Sequence, residues 1–196
     1  MEFEYIVFYK PFQVLSQFSK EGDKETLADY LKDIPKDVYP VGRLDYDTEG
    51  LLLLTNDKSI NNKLLNPEFG HERTYLIQVD NDITEEAIQE LREGVTISIN
   101  GKPYHTKKAR AKKLEIPPIV YDRNPPIRVR KNIPTSWVSL TLTEGKNRQV
   151  KKMTAAVGYP TLRLIRHSIG KLTIDNIAPG DYIKMDGSIK SLIFKK

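Results

Sequence analysis

Apolar and polar positions along the chain fall into short blocks separated by turn residues. The stretch from Glu4 to Tyr9 alternates weakly and is rich in β-formers, which predicts a first strand ended by Pro11. Thr26 to Leu31 suits a short helix and Val38 to Val41 a short strand. Leu51 to Leu54, running into Thr55, is apolar on both faces, as expected of a strand buried on both sides of a sheet. Lys58 to Leu65 predicts a helix stopped by Asn66-Pro67. Thr74 to Val79 predicts a strand, and Thr84 caps a helix that runs through Arg92 and is closed by Gly94.

Further on, Val95 to Ile99 alternates as a strand and turns at Asn100-Gly101, a hairpin signal. Residues 117–134 hold five prolines and predict a long loop. Ser136 to Leu142 alternates cleanly, with Trp137 expected in the core. Asn147 is the expected cap of a helix from Arg148 to Val157 that Gly158 ends, and Leu162 to Ile169 is a further strand. With seven or eight strands, three or four helices and no regular βαβ alternation, the predicted class is α+β with a mixed, mostly antiparallel sheet.

Composition adds exclusions. A chain of 196 residues, 39% hydrophobic and 29% charged, can bury a core as one domain spanning 1–196. No apolar stretch approaches the roughly 20 residues of a membrane helix. The opening MEFEYIVFYK is acidic where a signal peptide is basic, so a soluble, cytoplasmic protein is expected. The absence of cysteine excludes disulfides, thiol nucleophiles and thiolate metal sites.

Charge changes the picture most. Residues 1–100 carry 10 Lys/Arg against 20 Asp/Glu, whereas residues 101–171 carry 17 against 3. Such a segment suits a polyanionic partner, most simply nucleic acid. The alternative is a basic part docked on the chain's own acidic part.

The densest chemical signal is GRLDYDTEGLLLLTND, Gly42 to Asp57. Asp45, Asp47, Glu49 and Gly50 imitate the start of a calcium loop, but Asn56 stands where a bidentate Glu is needed and a strand follows instead of a helix. A phosphate-transferring D-x-D-x-T site wants a buried strand leading into the first Asp, whereas here the strand comes afterwards. There remains a carboxylate working without metal. If the segment is extended, Asp45 and Asp47 point to opposite sides and one acts alone. A structural turn before a core strand would need none of this.

Lys10-Pro11, GRLDYDTEGLLLLTND, Arg73-Thr74-Tyr75, EGKNRQVKKM (Glu144 to Met153), PTLRLIRHSIG and the closing APGDY occur in that order. Together, from about Tyr5 to Tyr182, they resemble the RsuA-type pseudouridine synthases, which isomerise uridine to pseudouridine in ribosomal RNA. The RNPPIR and NIPTSW segments, and a first strand that begins without a preceding S4-type RNA-binding domain, look most like the large-subunit rRNA enzymes of group E. The resemblance implies a sheet bent around a central cleft in a single catalytic domain. It also implies an isomerisation that breaks N1–C1′, rotates the base and rejoins it through C5, with no cofactor and no metal. The scattered His71, His105 and His167 agree with that.

By the same resemblance Asp45 is the catalytic carboxylate, acting on the sugar as nucleophile or base. A cation must oppose desolvation to keep it ionised, and the implied basic partner is Lys151, with Lys152 the neighbouring candidate. Tyr75 is the active-site tyrosine under a flipped base; a core tyrosine is the plain alternative. Arg43 fills the vacated gap or grips a phosphate, or else forms a surface ion pair. Lys107, Lys108, Arg110, Arg128, Arg130 and Arg148, within the basic clusters 102–113, 123–131 and 163–171 and the EGKNRQVKK segment, are expected to contact the RNA backbone. The implied partner is ribosomal RNA, naked or in an assembling large subunit, with a monomer as the default and no membrane. Two other classes compete: an rRNA-binding or assembly protein without catalysis, and a Mg²⁺-dependent phosphohydrolase.

Overall fold

A computed structural model describes residues 3–128 and 133–194. In chain order the elements are β1 (Tyr5–Lys10), β2 (Val14–Leu15), β3 (Glu25–Thr26), α1 (Leu27–Tyr30), β4 (Tyr39–Pro40), β5 (Glu49–Thr55), α2 (Lys58–Leu65), β6 (Arg73–Asp80), α3 (Glu85–Glu93), β7 (Thr96–Ile99), β8 (Lys102–His105), β9 (Arg110–Leu114), β10 (Thr135–Leu142), α4 (Gln149–Ala156), β11 (Thr161–Ile169), β12 (Leu172–Thr173), β13 (Tyr182–Met185) and α5 (Ile189–Ile193). This is the mixed α+β class predicted, and apart from the short parallel pair β2–β3 the pairings given below are antiparallel. Among the described residues no helix is long and apolar enough to cross a membrane.

The chain forms two compact units, one running to His71 and resuming at Arg166, the other spanning Glu72–Ile165. In the first, β1 pairs with β13 on one side and β5 on the other, with Val7 opposite both Ile183 and Leu53. All residues of β1 and β5 are buried, the outcome the run of leucines predicted. Ile6, Phe8, Leu52 and Leu54 share one face and pack with Leu27, Leu31, Val38 and Leu44. Asp57, at the end of β5, joins three elements. It caps α2 by accepting from Ser59 N (2.9 Å), accepts from the Tyr5 hydroxyl of β1 (2.9 Å) and pairs with Lys190 of α5 (2.6 Å).

In the second unit β10 lies between β6 and β9. The amphipathic α3 buries Ala87, Ile88 and Leu91 in a core with Ile77, Val79, Val138 and Leu140, and Thr84 caps it as predicted by accepting from Ala87 N. Trp137 is buried, as expected. RAKKL (Arg110–Leu114) forms a strand that the hydrophobic pattern does not announce; as the outer strand beside β10 it buries only Ala111 fully and can carry exposed cations. One expectation is corrected: the cap residue of α4 is Arg148 in the left-handed region (φ 52°), not Asn147, because the side chains of Gln149 and Glu144 fix the preceding turn, as described below.

Candidate active site

The approach to β5 is held at fixed points on both sides of Asp45. Before it, the Ser16 hydroxyl donates to Leu44 O (2.8 Å) and accepts from Leu44 N (3.1 Å), so both peptide groups of a buried residue are satisfied by one side chain. After it, Tyr46 O accepts from Gln13 N (2.9 Å) and, more weakly, from Lys10 Nζ (3.5 Å). The chain then turns, with Thr48 N donating to Asp45 O (3.0 Å). Asp45 and Asp47 are therefore not neighbouring positions of an extended segment, and alternation does not set their directions. Both are half-buried, and Arg43 is exposed.

Three further residues of this unit build the frame. Lys10 is fully buried, and its ammonium also donates to Val14 O (2.7 Å) and Pro11 O (2.9 Å). Gly50 has φ 105°, and a Cβ there would lie 2.4 Å from Arg166 O, so only glycine lets β5 and Arg166 approach this closely. Arg166, itself buried, donates through Nε to Leu51 O (2.8 Å). A buried ammonium and a buried guanidinium thus flank the start of β5. The sequence contains both within its motifs, but charged residues in strands read as surface; their burial shows only once β1, β5 and β11 are placed.

The second unit supplies the remaining candidates. Tyr75 lies on β6 opposite Leu140, half-buried against the unit's core, beside a hydroxyl pair between Thr74 and Thr141 (2.9 Å). On α4, Val150, Met153 and Thr154 are buried while Lys151 and Lys152 are both half-buried, so burial does not choose between the two lysines. Arg148, Lys107 and Arg128 are exposed, and Arg130 lies outside the described residues. Lys108 pairs with Glu93 (3.0 Å), and Arg110 makes a two-pronged pair with Glu72 (2.7 and 2.9 Å). Such solvent-facing pairs contribute little to stability. The expectation for the 163–171 cluster is corrected: Arg163 and Arg166 are buried, and Arg163 donates to Tyr121 O (2.8 Å) instead of lining a surface.

Comparison with known proteins identifies the class. Residues 4–156 match the model of the RNA pseudouridylate synthase family, and the chain belongs to that family. Among named relatives, it is 45% identical over 177 residues to Ribosomal large subunit pseudouridine synthase E of Vibrio parahaemolyticus, covering 90% of this chain and 71% of that one. It is 46% identical over 176 residues to the protein of the same name from Xanthomonas axonopodis pv. citri, covering 89% and 90%. Among solved structures, one described as a pseudouridylate synthase superposes with a TM-score of 0.78 at 26% identity, over 98% of this chain and 75% of that one.

Proposed function

We propose that the chain isomerises a specific uridine of ribosomal RNA, in the large subunit, to pseudouridine. The reaction breaks N1–C1′ and forms C5–C1′; a proton leaves C5, one is taken up at N1, and nothing is oxidised. The observation that carries the reading is Asp45, a carboxylate whose two neighbours in sequence are both pinned. Such a group keeps its position while an RNA substrate binds and its base rotates.

Asp45 acts on the sugar as nucleophile or base. Tyr75 offers an aromatic face to the flipped base, where stacking tolerates rotation. Lys151 is the basic partner, and the buried Arg166 is a second cation at the entrance to β5. Arg43, Lys107, Lys108, Arg110, Arg128, Arg130 and Arg148 bind phosphates and set affinity and salt dependence. The substrate is rRNA, naked or in an assembling subunit, and the enzyme acts as a cytoplasmic monomer.

The test is tritium release from rRNA labelled at uridine C5, without added metal, followed by mapping of the modified base. Release that maps to one uridine of large-subunit RNA is expected. Salt-sensitive RNA binding without release, from naked RNA and from assembling subunits alike, would identify a binding protein instead.

A further inference from the structure

One acidic side chain of the second unit is buried next to several exposed cations. Glu144 is 5% exposed, and three donors converge on its carboxylate. The Tyr104 hydroxyl donates to Oε2 (2.5 Å), while Lys107 N (2.9 Å) and Gln149 Nε2 (2.6 Å) donate to Oε1. Each donor leads to an exposed cation. Lys107 is held through its own backbone. Tyr104 carries Lys146 on its ring, with Nζ 5.0 Å from the centroid. Gln149, also buried, closes the turn that presents Arg148: its Oε1 accepts from Lys146 N (2.9 Å), and its own N–H donates to Lys146 O (3.1 Å). Inside that turn Arg148 adopts φ 52°, ψ 31°, a conformation that a non-glycine residue holds only when its surroundings impose it.

We propose that Glu144 is a positioning residue for RNA binding, one buried carboxylate that orients the cations of Lys107, Lys146 and Arg148 toward the phosphate backbone. The inference rests on the rRNA reading above. Elementary electrostatics gives the opposite sign for its removal, since an anion beneath a basic surface repels a polyanion and its neutralisation should tighten binding. Orientation outweighs repulsion here. The carboxylate's charge is already engaged by three donors, whereas three cations without fixed positions lose simultaneous phosphate contacts.

The test is binding of an rRNA fragment by the full chain over a range of salt, for wild type, Glu144→Gln, Tyr104→Phe and the control Glu90→Gln, an exposed acid on α3. Glu144→Gln is expected to weaken affinity about tenfold and to flatten log Kd against log salt by the equivalent of one or two phosphate contacts. Tyr104→Phe, which keeps the ring and loses only the donor, should move the same way by about threefold, and Glu90→Gln should be unchanged or tighter. A folded Glu144→Gln that binds as tightly as wild type, or tighter, overturns the proposal. If that variant does not fold, a Tyr104→Phe variant with wild-type affinity and slope overturns it instead. A wild type that binds no rRNA defeats the parent reading and is told apart by that result alone.

Discussion

The Ser16 hydroxyl meets both the N–H and the carbonyl of Leu44, the residue before Asp45, across 28 positions of sequence. The contact needs a group that donates and accepts at one atom, short enough to fit beside a buried backbone, which a hydroxyl on Cβ supplies. Ser16→Ala leaves two buried peptide groups without partners, at about 1–3 kcal/mol. It is expected to lower the melting temperature by several degrees and the single-turnover rate more than RNA affinity, read by thermal unfolding and by tritium release. An unchanged rate in a destabilised variant would make Ser16 purely structural.

Gly50 has no substitute. Alanine there would combine φ 105° with a Cβ 2.4 Å from Arg166 O, and backbone cannot move aside as a side chain end can. Gly50→Ala is expected to cost at least ~3 kcal/mol, enough to remove most folded protein at 37 °C. Urea unfolding measures it.

Asp57 carries a pH dependence. Burial pushes its carboxyl up, but hydrogen bonds from Lys190, Ser59 and Tyr5 outweigh that and hold it well below the usual carboxylate range. A depressed pKa contributes stability that is present above the unfolded value, near 4, and is lost as pH falls below it. Wild type is therefore expected to lose stability between about pH 5 and 2, and Asp57→Asn to be weaker by about 2 kcal/mol at pH 7 but flatter across that window. Urea titrations at several pH values decide it, and parallel curves for the two proteins would contradict the assignment.

Lys151→Met separates chemistry from attachment. In the proposed role of basic partner, its loss should lower the saturated single-turnover rate at least ~100-fold while weakening RNA binding about threefold or less. A normal rate with weakened binding would make Lys151 a phosphate contact and leave Lys152 as the candidate.

The sequence showed what depends on neighbours in the chain. The leucine run announced β5, Thr84 and Gly94 bounded α3, and the motif around Asp45 carried the family resemblance. What it hid depends on distant partners. RAKKL was not recognisable as a strand because a peripheral strand with one fully buried residue lacks an alternating pattern. Asn147 looked like the cap of α4 because its side chain type favours that role, yet Gln149 and Glu144 fix the turn and place Arg148 there instead. Glu144 stood in the EGKNRQVKKM motif, but its burial and its partners gave no local signal, since Tyr104 and Lys107 lie 40 and 37 positions away. The burial of Lys10 and Arg166 was hidden because a charged residue reads as surface until its strand is placed.

The most direct test is tritium release from C5-labelled rRNA by wild type and by Asp45→Asn, with RNA affinity measured alongside. Asn keeps the shape of the side chain and removes the charge that the proposed chemistry requires. Release is expected from wild type and none above background from the variant, with affinity within a few fold. An Asp45→Asn protein that releases tritium at the wild-type rate would contradict the account at its centre.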